Sequence, residues 1–181
     1  THITFGHDFN KPIKGYIPTS VTHLSFGTDL NISPAQLPCF SSFNQDIKDS
    51  IPSSVEYLFL GAKFNKSVDD CILSSVTHLK FGIYFNQPIN KLPSSITHLT
   101  FGHYFNQSLD NLPLSITHLE LGDNFNQPID KLPPFITHLK LGRNFRYPLN
   151  ISVSHLTLPN VSSEDKQRIR KNLKNTKIYF Y

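Results

Sequence analysis

A stretch of twenty residues, Phe85 to Tyr104, recurs with edits along most of this chain. It reads Phe-Asn-Gln-Pro-Ile-Asn-Lys-Leu-Pro-Ser-Ser-Ile-Thr-His-Leu-Thr-Phe-Gly-His-Tyr. Phe85, Phe105, Phe125 and Phe145 stand twenty apart, as do His78, His98, His118 and His138, and Gly82, Gly102, Gly122 and Gly142. A fixed period of this size predicts a solenoid, with one supersecondary unit per repeat.

Within the unit the large apolar positions are Phe85, Ile89, Leu92, Ile96, Leu99 and Phe101. Leu99 and Phe101 are two apart and point inward on an extended strand, which turns His98 and Thr100 outward. The β-branched and aromatic run from Ile96 to Phe101 suits a short strand. Gly102 ends it, and Leu92-Pro93 restricts the backbone just before it. Burial of six side chains cannot offset the entropy of ordering a lone twenty-residue unit. The burial must be shared with stacked neighbours. Parallel strands joined by crossovers then make the coil right-handed. The register predicts nine strands in one sheet, centred near Ile3, Leu24, Leu58, Leu79, Leu99, Leu119, Leu139, Leu156 and Ile178.

The pattern Ile-x-x-Leu-x-Phe, followed by Asn106, resembles the leucine-rich-repeat strand with modified spacing. More specifically, Phe9-Asn10-Lys11-Pro12-Ile13, Phe85-Asn86-Gln87-Pro88-Ile89 and Phe125-Asn126-Gln127-Pro128-Ile129 resemble the FNIP repeat, and Ile116-Thr117-His118-Leu119-Glu120-Leu121-Gly122 fits its upstream half. The likeness covers about residues 1–158. Phe105-Asn106-Gln107-Ser108-Leu109 departs from it by lacking the proline. The resemblance implies a leucine-rich-repeat-like interaction module of a family found in social amoebae and their giant viruses. Many viral members carry an upstream F-box, which implies a substrate-recruiting arm of a ubiquitin ligase. No F-box segment is visible in this sequence.

The expected organisation is a repeat solenoid over 1–160, interrupted by an irregular insertion at 30–42, and a C-terminal cap over 161–181. Arg146 replaces the motif Asn, and three residues are missing before Val153. In the cap, Ser162 is the expected N-cap of a helix that places Ile169 and Leu173 on one face. Thr176-Lys177-Ile178-Tyr179-Phe180 overlays Thr97-His98-Leu99-Thr100-Phe101 and reads as a final strand. The fold class is therefore mostly β and irregular, with a capping helix and strand.

Charge is uneven. Residues 1–160 hold eleven Lys and Arg against eleven Asp and Glu, so the surplus of four belongs to the tail, where six basic residues from Lys166 to Lys177 face Glu164 and Asp165. That distribution is a property of one end and argues against a nucleic-acid groove. Cys39 and Cys71 are too few and too scattered for a disulfide framework, and both read as reduced in a cytoplasmic protein. No apolar run is long enough to span a membrane as a helix. The chain opens inside a repeat and contains no Met, so a fragment is expected.

Three columns invite a chemical reading. His2, His23, His78, His98, His118, His138 and His155 form a ladder on strands about 4.8 Å apart. A straight row does not supply the convergent ligands that zinc needs, which leaves a structural stacking role. Imidazoles so placed repel on protonation, and their pKa values are expected below the usual value of about 6.5. The Asn column (Asn10, Asn44, Asn65, Asn86, Asn106 and Asn126) is expected to satisfy backbone groups at a turn of the coil. The Phe column (Phe9, Phe43, Phe64, Phe85, Phe105, Phe125 and Phe145) is expected to stack in the core. No nucleophile elbow, phosphate loop, metal motif or paired carboxylate emerges, so no catalytic residue, metal or cofactor is assigned.

The expected function is a non-enzymatic protein–protein interaction scaffold. Its contact positions are the outward strand residues Tyr57, Phe59, Lys80, Thr100, Glu120, Lys140 and Thr157, with His23, His78, His98, His118, His138 and His155 beside them. Tyr57 and Phe59 make the most hydrophobic spot on that face. The other reading is an assembly protein that self-associates through an exposed first rung or lines a larger particle.

Overall fold

The structure is a computed structural model and describes residues 1–27, 41–173 and 175–181. Its strands are β1 (His2–Phe5), β2 (His23–Phe26), β3 (Tyr57–Phe59), β4 (His78–Lys80), β5 (His98–Thr100), β6 (His118–Glu120), β7 (His138–Lys140), β8 (His155–Leu158) and β9 (Lys177–Phe180), with one helix, α1 (Ser163–Asn172), between the last two. They form a single sheet in sequence order. Each pair is parallel, and Leu24, Leu58, Leu79, Leu99, Leu119, Leu139, Leu156 and Ile178 lie in one row across it. The expected solenoid, its strand centres and its single parallel sheet are all present.

The paired part of a middle strand is shorter than the Ile96–Phe101 segment expected from composition. Only His98–Thr100 forms the strand. The Ile96 N–H is held in a local turn by the carbonyl of Pro93 at 3.3 Å, so it cannot join the ladder. At the other end the Phe101 N–H donates forward to the Glu120 carbonyl at 2.9 Å. Gly102 then turns the chain where no side chain fits, because a Cβ there would fall on the carbonyl of Gly82. Gly82, Gly122 and Gly142 meet the preceding rung in the same way.

The core is a stack of rings and aliphatic side chains. Phe43, Phe64, Phe85, Phe105 and Phe125 are fully buried, with successive centroids 6.1–6.2 Å apart. A second set of rings, from the ends of strands, fills the gaps: Phe26 lies 3.8 Å from Phe43, Phe81 3.8 Å from Phe85 and Phe101 3.7 Å from Phe105. At the ends of the array Phe9 and Phe145 are only partly covered, because each has fewer rungs over it.

The return path comes in two lengths. Phe43, Phe64 and Phe85 are 21 residues apart, not twenty. The extra residue sits in a tight turn beside Gly15, Asp49 and Asp70, all at positive φ (79°, 54° and 59°). From Ile89 onward the equivalent turn needs no such residue, and at Leu109 it is closed by the Leu112 N–H on the Leu109 carbonyl at 3.3 Å. The insertion expected at 30–42 lies mostly outside the described residues, as does Cys39. Ser41 and Ser42 at its end are in register with the other rungs: the Ser42 N–H donates to His7 at 2.7 Å, and the Ser41 carbonyl accepts from Lys63 at 3.2 Å.

At the C-terminal end Ser162 caps α1, its Oγ accepting the Asp165 N–H at 3.1 Å. Glu164 and Asp165 lie in the first turn and Arg170 and Lys171 in the last, as the helix dipole favours. Leu173 is buried and Ile169 partly so, both against the core. Lys166 and Arg170 lie over the Phe180 ring at 5.1 and 5.5 Å, so α1 shields β9. Cys71 is a free, buried thiol. Burial pushes its pKa up, with help from Asp46.

Candidate interaction surface

The strand alternation sets two outward columns side by side. The first is the His column. Ring centroids are 4.0 Å apart for His2–His23 and 4.1–4.2 Å apart from His78 through His98, His118 and His138 to His155. Tyr57 does not interrupt the stack, since it lies 4.1 Å from both His23 and His78. On β9 the column's position is taken by Lys177, and the ring of Tyr179, from the neighbouring column, lies parallel to His155 at 6.2 Å. Parallel strands in exact register force this geometry, because equivalent side chains repeat at the strand spacing.

The ring angle is fixed by the preceding threonine. Nδ1 of His23, His78, His98, His118 and His138 lies 2.9 Å from Oγ1 of Thr22, Thr77, Thr97, Thr117 and Thr137. Thr97, Thr117 and Thr137 also donate to the carbonyl one rung back at 3.2–3.3 Å. With the hydroxyl proton given to the carbonyl, Nδ1–H becomes the donor to Oγ1, and Nε2 is left as an acceptor. At His155 the preceding residue is Ser154, and the buried Nδ1 has no partner.

The second column is Ser25, Phe59, Lys80, Thr100, Glu120, Lys140, Thr157 and Tyr179 in register. It changes chemistry at every rung. Lys80 Nζ lies 5.8 Å over the Phe59 ring. Lys140 Nζ lies 3.5 Å from Glu120 and 5.5 Å from the centroid of Tyr181. Phe59 and the column residues from Lys80 to Thr157 are half-buried by their neighbours, whereas Tyr57 is exposed.

The titration of the His column follows from its packing. His78, His98 and His118 have lowered pKa values, first through burial and then through neighbouring imidazoles. His23 is lowered by burial and by His2, against an opposing pull from Glu56. His155 is lowered by burial, then by His138 and Lys177. The direction is the one expected from the sequence, but charge repulsion is the lesser cause. Stacked rings face one another and do not converge on a point, and among the described residues no group of three or more His, Cys, Asp and Glu could hold a metal ion. No helix among them is long and apolar enough to cross a membrane.

The Asn column forms its own ladder on another side of the coil. Oδ1 of Asn10, Asn44, Asn65, Asn86, Asn106 and Asn126 accepts the backbone N–H of the equivalent residue one rung on, at 2.8–3.0 Å. Gln87, Gln107 and Gln127 add side-chain bonds to the same oxygens at 3.1–3.2 Å. These amides act on the backbone, as expected, and sit at the coil surface.

Other features escaped sequence reasoning. Ser54, Ser95 and Ser115 donate to the carbonyls of Val21, Val76 and Ile96 at 2.6–2.7 Å, a fourth ladder that the repeated Ser-Ile and Ser-Val pairs could have signalled. Tyr84 and Tyr104 stack at 5.3 Å beyond the strands. Asp123 there lies 3.6 Å from His103 and 4.0 Å from Arg143. The exposed Leu114 and Phe135 replace residues that are serine in the unit from Phe85 to Tyr104.

Comparison with known proteins agrees with this architecture. No curated protein matches the chain. The chain is similar to CroV588, whose crystal structure is described as a novel circular leucine-rich-repeat protein, with 30% sequence identity and a TM-score of 0.61. All of this chain is covered, but only 33% of CroV588, so it spans about a third of that protein. The FNIP Repeat family model matches residues 1–29, 64–104, 85–124, 105–132 and 125–160. With the repeat matched over more than half its length, and with one leucine-rich-repeat-like coil per repeat, the chain belongs to the FNIP-repeat family.

Proposed function

We propose that the chain is a protein–protein interaction scaffold that reads its partner with the two outward columns of the sheet. The observation that carries this reading is the contrast between them. The His column carries an imidazole on seven of nine strands, with Tyr57 and Lys177 on the others, and its rings from His2 to His155 stack at 4.0–4.2 Å, while the column beside it varies from Phe59 through Lys80, Thr100 and Glu120 to Lys140. A rigid frame with variable side chains gives specificity without reordering on binding. The contact residues are Tyr57, Phe59, Lys80, Thr100, Glu120, Lys140 and Thr157. On the family resemblance, our reading of the context is the substrate-recruiting arm of a ubiquitin ligase.

The test compares proteins retained from a lysate by the wild-type chain and by a Lys80→Glu, Glu120→Lys, Lys140→Glu variant of equal stability, identified by mass spectrometry. A partner held by wild type and lost from the variant is expected, with ubiquitin-ligase subunits among its associates. Identical recovery by the two proteins would sink the sheet-face reading. A second reading is assembly into a larger closed body, favoured by likeness to a circular protein three times as long and by the half-covered Ile3 and Phe5 of β1. Concentration-dependent association in sedimentation velocity would support it, and a monomer across the accessible concentration range would refuse it.

A further inference from the structure

The repeat is broken once near its C-terminal end, and the break opens a groove. In regular rungs eleven residues separate the motif Phe from the Ile that precedes the strand, as from Phe105 to Ile116 and from Phe125 to Ile136. From Phe145 to Val153 there are eight. The shortened return path does not cover the rung before it. A groove of about 560 Å³ lies there, bounded by Pro134 and Phe135 on one side, Ile151 and Val153 along the floor, and Lys171 and Leu173 of the cap on the other.

The residues at its lip depart from the repeat in the same direction. Ser95 and Ser115 bind the carbonyl of the preceding rung through their hydroxyls, but their equivalent here is Phe135, 65% exposed. Leu114, also 65% exposed, occupies on the preceding rung the place of Pro134. A solvated aromatic where the unit has a working serine is not required by the fold, since the other rungs close without it.

Charge at the groove is one-sided. The acids of the cap, Glu164 and Asp165, lie in the first turn of α1, and Asp165 is held by Ser162 at 2.7 Å. The groove lies at the other end of that helix, where Lys171 lines the wall and makes no ion pair among the described residues. Among the described residues no carboxylate lines the groove.

We propose that this groove docks a short acidic peptide segment of a protein partner. An apolar side chain of the segment seats between Phe135 and Leu173, and an Asp or Glu flanking it faces Lys171. The inference rests on the interaction-scaffold reading and adds a second contact, at the N-terminal ends of β7, β8 and β9.

The test is selection of random dodecamer peptides displayed on phage against the immobilised chain, followed by fluorescence anisotropy with the enriched peptides. Enriched sequences are expected to combine a large apolar residue with Asp or Glu. Phe135→Ser restores the repeat's own residue and Lys171→Glu changes an exposed site, so both variants keep the fold. Each is expected to weaken binding at least tenfold, while the Lys80→Glu, Glu120→Lys, Lys140→Glu variant binds as wild type. No enrichment, enriched peptides without acids, or affinity unmoved by Phe135→Ser would overturn the proposal. Peptides lost only from the sheet-face variant would overturn it while supporting the sheet-face reading. Self-association abolished by Phe135→Ser in sedimentation velocity would give the groove to a second copy of the chain instead.

Discussion

Asn106 accepts the backbone N–H of Asn126 at 2.8 Å and the side-chain amide of Gln127 at 3.2 Å, both on Oδ1. Its own amide nitrogen makes no hydrogen bond among the described residues. The position therefore needs an acceptor oxygen rather than an amide. Asn106→Ala should lower stability by about 0.5–1.5 kcal/mol, the net worth of a typical intramolecular hydrogen bond, and Asn106→Asp should lose less. Urea unfolding midpoints of the two variants against wild type check the order. Arg146 shows where this chemistry stops: its N–H is still accepted by Asn126, but its guanidinium turns back to the carbonyls of Arg143 and Phe145 at 2.6 and 2.9 Å. Gly102 carries a different constraint. A methyl there meets backbone of the neighbouring rung, which cannot move aside as a flexible side chain can. Gly102→Ala should cost at least about 1–3 kcal/mol by overpacking, read from the same unfolding curves.

The strands are three or four residues long, so what they contribute lies in their columns. In the His ladder burial and neighbouring rings disfavour the charged form, and His23, His78, His98, His118 and His155 have folded pKa values below 6.5. The unfolded chain then binds more protons. Stability from this source is complete above about pH 6.5 and declines as pH falls through 6.5 toward the lowered folded values. Glu56 opposes the trend at His23 and His78, and Lys177 reinforces it at His155. The steepest loss is therefore expected around His98 and His118, which no carboxylate relieves. Unfolding curves from about pH 8 to about pH 5, around the ordinary His value, should show wild type losing more stability than a His98→Gln, His118→Gln variant. Equal losses would leave the ladder a purely steric device.

Across the whole molecule no rung has a core of its own. Phe105 is fully buried, with Phe101 at 3.7 Å and Phe85 and Phe125 at 6.1 and 6.2 Å. Phe105→Ala should cost about 3–5 kcal/mol, as other large-to-small core changes do. Because contacts run only between neighbours, the loss falls at the middle of the array and can uncouple its two ends. The expected outcome is a lower denaturation midpoint and, by hydrogen exchange, protection lost first in β4, β5 and β6. An unchanged midpoint would mean that the Phe column does not hold the coil together.

The sequence by itself determined the coil, the nine strand centres, the parallel register and the identity of the His, Asn, Phe and outward variable columns. A period of twenty repeats positions along the array, and alternation within a strand assigns each residue to a face, so both can be read without coordinates. It also located the cap, since Ser162 and the spacing of Ile169 and Leu173 are local signals. Only the tertiary structure decided what each column touches. Ser95 looks like an ordinary loop serine until the Val76 carbonyl of another rung arrives at 2.7 Å. Tyr57 looks like a gap in the His row until its ring stacks between two imidazoles. Phe135 looks like one more apolar residue in a proline-rich turn, and the deletion near Val153 like a local irregularity. The groove exists because the two meet across adjacent rungs, and a contact between residues far apart in sequence depends on how the coils pack.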